Sequence, residues 1–246
     1  MPAATFFTRL RLPVFAAWAL ALFALPVAAW AGALPEANAS GVFLNEAGDV
    51  LTARHAVSDC RSLFAIKGGQ VAQATVIAES AELDVAVLRT TLKPYLGATF
   101  ALADAAPGRS IGVFTEAYAV LQRLPDRAAL LSNAMTVPGA EGLQLLSGAK
   151  PGASGSAVLG ADGLLLGVVV ERVAAAPHAA GMALSRVASA SGVTGATQVR
   201  AVPASQLRQF LGRHGIAFAA SDSPQLSPMQ SPAARASTLS VGVLCG

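Results

Sequence analysis

Charge is scarce in this sequence: 13% of its 246 residues are Asp, Glu, Lys or Arg, and only 6% are aromatic. So little charge excludes a solvated, disordered chain, and the 54% of hydrophobic residues is enough to build a core. The 17 basic residues outnumber the 14 acidic ones, for a net charge of +3. Two of those basic residues, Arg9 and Arg11, lie in the first 31 positions, where there is no acid. Without that segment the excess falls to one, so an isoelectric point of 9.2 is no sign of nucleic acid. No cluster of lysines, arginines and aromatics elsewhere suggests a nucleic-acid partner either. Two cysteines and three scattered histidines offer no zinc spacing, and nothing calls for a metal or organic cofactor.

Long apolar runs are absent except at the start. Arg9 and Arg11 precede an apolar stretch from Leu12 to Ala29 that ends in small residues and "AWA". Basic flank, apolar centre and small residues read as a secretory signal peptide over residues 1–31, cleaved after Ala31, with Ala29 or Ala33 as neighbouring sites. An uncleaved membrane anchor is the alternative, because 18 residues is near the lower limit for spanning a bilayer. Export, to the periplasm or beyond, takes the chain to an oxidising compartment. There Cys60 and Cys245 are expected to pair, two buried free thiols being the other reading.

From Ser40 onward, short apolar runs alternate with turn signals about every ten residues, the pattern of antiparallel β structure. "GVFL", "DVLTA", "SLFAIKGG", "QVAQATVIA" and "LDVAVLRT" form one group, with Gly48 turning the first hairpin. After a connector come "IGVFTE", "YAVLQRL", "AALLSN", "GLQLLSG", "SAVLG" and "LLLGVVVERV", with Asp162-Gly163 at the last turn. Two strand groups, about 40–100 and 108–202, imply two small barrels or sandwiches. A helix follows over 203–214, where Pro203 suits the first turn and Leu207, Phe210 and Leu211 share a face. Residues 217–246 read as a Pro/Ser-rich linker ending in one more strand, "TLSVGVLCG".

Three residues stand out as candidates for chemistry. His55 directly follows the strand "VLTA", whereas His214 ends the helix and His178 sits in the loop "AAAPHAAG". Asp84 heads the buried run "VAVL", where a carboxylate needs a partner. Ser154 lies between glycines in "PGASGSA", a backbone able to turn the N–H groups of Gly152 and Ser154 toward one point. Each alone is ordinary; their order, His then Asp then Ser, is what carries weight.

"SGVFLNEAGDVLTARHAV", "ELDVAVLR" and "PGASGSAVLGADGLLLGVV" together resemble the trypsin-like, chymotrypsin-fold serine peptidases, particularly the bacterial Deg/HtrA-like branch without its PDZ domains. "VRAVPASQLRQFL" is similar to the strand and helix that close such domains, and the resemblance spans about residues 40–214. It implies an all-β fold of two antiparallel six-stranded barrels with a C-terminal helix, over residues 32–216. It also implies a serine endopeptidase acting on proteins or peptides, with His55 as general base, Asp84 as its orienting carboxylate and Ser154 as nucleophile. Gly152 and Ser154 would supply the oxyanion N–H groups. Ala153 stands where digestive members carry an acid that pairs with a new N-terminus, so activation by that route is not expected. Ser156 replaces a glycine and is expected to crowd the site. Arg54, beside His55, replaces a small residue. Gly148, Gly167, Val168, Val169 and Val170 are expected to line a substrate pocket without an acid, favouring small or medium apolar residues at the cleavage site. A binding module of the same fold, without activity, is the alternative.

Overall fold

The computed structural model describes residues 37–106, 108–148, 151–173 and 197–246. The expected signal segment and His178 lie outside them. Among the described residues no helix is long and apolar enough to cross a membrane.

Six strands close the first barrel: β1 (Ala39–Phe43), β2 (Asp49–Ala53), β3 (Leu63–Lys67), β4 (Gln70–Ser80), β5 (Val85–Thr90) and β14 (Ser240–Cys245). Strands β1 and β2 are buried along their whole length, and alternation explains why. Successive side chains point to opposite faces. Phe43, Val50, Ala86 and Leu88 pack with Val241 and Val243 inside the barrel, while Val42, Leu51, Val85 and Val87 pack outward against the second half of the molecule. Both faces therefore had to be apolar. Gly48 makes the β1–β2 turn at φ 94°, with the Leu92 carbonyl 2.3 Å from where a Cβ would sit.

The sixth strand of this barrel does not come from residues 40–100. It is β14, inserted between β1 and β3, with Val241 opposite Gly41 and Val243 opposite Ala65. Cys245 is joined to Cys60 by a disulfide, with Cα atoms 5.2 Å apart. Gly246 exchanges main-chain hydrogen bonds with Ser62. The residues before β14 are not all linker: α3 (Pro232–Leu239) is a helix whose N-cap, Ser231, accepts from the Ala234 N–H, with Pro232 in the first turn. Ser-Pro is a helix-start signal, overridden in the sequence reading by the Pro/Ser content around it. Lys67 holds the end of α3, its Nζ donating to the carbonyls of Ser237, Thr238 and Ser240 at 2.5–2.8 Å.

The second half is a curled half-barrel. Strands β10 (Ala157–Leu159), β11 (Leu165–Val173), β12 (Thr197–Pro203), β9 (Leu143–Ser147), β8 (Ala134–Thr136) and β7 (Gly112–Val113) follow one another as antiparallel neighbours. Among the described residues its ends meet through an isolated bridge, in which Phe114 and Leu159 exchange both hydrogen bonds at 2.9 Å. Beside β11 lie β6 (Thr99–Ala101) and β13 (Ala219–Ser221), paired in parallel, which the antiparallel reading did not anticipate. "YAVLQRL" is not a strand but α1 (Tyr118–Arg123), burying Tyr118 and Leu121 three residues apart. Short apolar runs do not separate the two periods. "AALLSN" likewise forms no strand and holds part of a 3₁₀ turn, Arg127–Ala129. Helix α2 (Ala204–Arg213) lies where expected, with Leu207, Phe210 and Leu211 in the core between the halves.

Candidate active site

His55 is the middle residue of a 3₁₀ turn, Arg54–Ala56, that begins where β2 ends. The neighbouring strand brings its partner, since Ala53 pairs with Val85 and the Arg54 N–H donates to the Asp84 carbonyl at 2.9 Å. Asp84 takes a left-handed conformation, φ 56°, which aspartate tolerates better than most residues. Its carboxylate is turned back onto His55. Oδ1 accepts the His55 main-chain N–H at 3.0 Å, and Oδ2 lies 2.7 Å from Nδ1. A carboxylate accepts only, so Nδ1 carries the proton, and in the neutral imidazole Nε2 is left as an acceptor. Ser154 Oγ lies 3.0 Å from Nε2.

The loop presenting Ser154 has both flanking glycines at positive φ, Gly152 at 89° and Gly155 at 87°. Gly155 has a second reason to be glycine, because a Cβ would sit 1.9 Å from the Ser40 carbonyl and 2.6 Å from Thr52 Oγ1. The Gly155 N–H donates to Val169 O at 2.7 Å and the Ser156 N–H to Ala153 O at 2.9 Å. The N–H groups of Gly152 and Ser154 find no acceptor among the described residues. In a trans peptide the carbonyl and the N–H point opposite ways. Tying Ala153 O to Ser156 therefore turns the Ser154 N–H away from the loop interior, as an oxyanion donor requires.

Ser156 does not crowd the site. It is 2% exposed, and its hydroxyl is engaged elsewhere, donating to Glu116 O at 2.8 Å. Ala153 is fully buried in an apolar cluster with Val113, Val158 and Val169. Arg54 forms an ion pair with Glu79 at 3.4 Å. His214 plays the local part expected of it, its Nδ1 2.9 Å from Phe210 O at the end of α2.

Most of the residues expected to line a pocket are buried. Val168, Val169 and Val170 are at most 1% exposed and belong to the core, so their side chains line no open surface. A Cβ on Gly167 would meet Val202 O at 2.5 Å, whereas Gly148 is exposed with nothing within 4 Å of its Cβ position. What β11 gives the site is main chain: Val169 also donates its N–H to Ser156 O at 3.0 Å. Sequence reasoning missed Ser40, a fully buried serine in β1. A polar residue in the apolar run "ASGVF" was the signal that could have found it. Among the described residues no cluster of His, Cys, Asp and Glu could hold a metal.

No curated protein matches the chain. Solved structures similar to it include the active form of the Rv3671c protease from M. tuberculosis, at 16% identity over 77% of this chain and 78% of that one, with a TM-score of 0.49. The inactive form of the same protease is similar at 20% identity over 72% and 83%, with a TM-score of 0.47. The profile of the trypsin-like peptidase domain matches residues 39–168, more than half of the sequence and the stretch that carries His55, Asp84 and Ser154. The chain thus belongs to the trypsin-like peptidase family and is a serine-type peptidase.

Proposed function

We propose that this peptidase is an exported endopeptidase working through His55, Asp84 and Ser154 and an acyl-enzyme. The observation that carries the reading is the unbroken chain of hydrogen bonds, 2.7 Å from Asp84 to His55 and 3.0 Å from His55 to Ser154. Ser154 Oγ attacks a peptide carbonyl as its proton passes to Nε2 of His55. Asp84 keeps the proton on Nδ1 and stabilises the imidazolium that forms. Charge on the carbonyl oxygen is received by the N–H groups of Gly152 and Ser154. Collapse expels the amine, which takes the proton from Nε2, and water then hydrolyses the ester by the same relay run again.

Export is supported by Arg9 and Arg11 ahead of the apolar run, and by the Cys60–Cys245 disulfide, a bond that persists in oxidising compartments. An N-terminus at residue 32 in the mature protein is the expected readout.

Hydrolysis of an unfolded protein substrate by the mature chain tests the function. Turnover is expected to fall by about 10⁶ in Ser154→Ala. A folded wild type that binds peptides but never cleaves them would overturn the reading and leave a binding module.

A further inference from the structure

The residues around Ser154, from Pro151 to Ser156, include no charged side chain, and Ala153 among them is buried in an apolar cluster. What holds this loop instead is hydroxyl groups. Ser40, fully buried in β1, has every polar atom engaged. Its N–H donates to Ser154 O at 2.9 Å, its hydroxyl donates to Gly152 O at 2.7 Å, and its carbonyl accepts from Thr52 Oγ1 at 2.7 Å. The same hydroxyl accepts the Tyr118 N–H at 2.8 Å. That last contact completes α1, whose N-cap, Ala117, has no capping side chain. A helix start leaves N–H groups without partners, and here a serine from another strand supplies the acceptor. On the far side of Ser154, the Ser156 hydroxyl donates to Glu116 O, two residues before α1.

We propose that Ser40 and Ser156 form a two-hydroxyl clamp that holds the oxyanion loop in working shape against β1 and the start of α1. The inference rests on the reading of Ser154 as nucleophile. Ser40 fixes the carbonyls on both sides of Ala153, Gly152 O and Ser154 O, while Ser156 N–H fixes that of Ala153 itself. With three consecutive carbonyls tied inward, the Ser154 N–H has no freedom to rotate away from the substrate. Both serines are positioning residues, because neither touches the reacting atoms. The clamp also gives α1 a purpose in the site, as the anchor to which both hydroxyls lead.

The test is Ser40→Ala and Ser156→Ala in the mature chain, with rates referred to active sites titrated by a fluorophosphonate. Ser40→Ala keeps the main-chain bonds to Ser154 and Thr52 and removes only the hydroxyl. Losing an oxyanion donor outright costs about 10²–10³ in kcat; losing its support is expected to cost about tenfold, with KM within about twofold. A peptide boronate, which places an oxygen in the oxyanion site, should weaken by the same factor as kcat/KM. An unchanged kcat per active site, or a boronate affinity that does not follow it, would overturn the clamp. If wild type cleaves nothing, the peptidase reading fails by itself, and the clamp is then judged by amide exchange. Exchange at Gly155 and Ser156 about tenfold faster in Ser40→Ala, with α2 unchanged, supports it; equal exchange overturns it. Should Ser40→Ala not fold, Ser156→Ala carries the same readouts.

Discussion

The closed barrel and the half-barrel each bring part of one site, and they hold it by different means. On the barrel side, His55 and Asp84 sit at the ends of paired strands, so the register Ala53 to Val85 fixes them directly. The barrel is closed all round by ladder pairing, with a disulfide beside its last strand. On the other side, β7, β8 and β10 are two or three residues long and the ends meet through one bridge. The loop around Ser154 is held there by individual hydrogen bonds, Ser40 donating to the carbonyls of Gly152 and Ser154, the Ser156 N–H to Ala153 O, and Val169 bonding Gly155 and Ser156, rather than by a long ladder. Asp84 and His55 are thus placed by sheet register, whereas Ser154 is placed by a loop pressed against the barrel.

Deleting residues 240–246 should do the most damage, because it opens the barrel between β1 and β3 and removes the buried Val241 and Val243. The expected result is loss of a cooperative thermal transition together with all activity; a cooperative, active product would show that β14 is dispensable. Next comes Asp84→Asn, expected to lower kcat by about 10⁴ through loss of the tautomer it holds. Circular dichroism should show the same thermal midpoint to within a few degrees. Replacing both Cys60 and Cys245 by serine is expected to cost about 4–5 kcal/mol by the chain-entropy account of so long a loop. Urea unfolding measures the loss, and exchange should speed up in β14 and β3 before β9 and β12. Smallest is Leu146→Lys on the outer face of the half-barrel, where Leu146 is 49% exposed. Its effect is expected within about 0.5 kcal/mol, and a larger one would mean that this face is less tolerant than its exposure implies.

Much of this was legible in the sequence for a physical reason. Strand alternation and glycine turns are local signals, so β1 to β5, the Asp162-Gly163 hairpin and α2 could be read directly. His55, Asp84 and Ser154, which the fold brings within hydrogen-bond distance of one another, could be singled out through their order and surroundings. What escaped depends on distant partners. Nothing in "SVGVLC" says that it pairs with β1 about 200 residues earlier, and α3 was hidden by the composition around Ser231 and Pro232. The burial of the valine side chains was not legible, because "GVVV" reads as an accessible strand until β12 and the two cores cover it. Ser156 was misjudged because the direction of its hydroxyl depends on Glu116, 40 positions away.

In the proposed mechanism Ser154 is a nucleophile activated by His55. Labelling of the folded mature chain with a fluorophosphonate, followed by peptide mapping, tests it most directly. One adduct is expected, on Ser154, lost in Ser154→Ala and sharply slowed in His55→Ala. Folded wild type that stays unlabelled, or an adduct on a different serine, would contradict it.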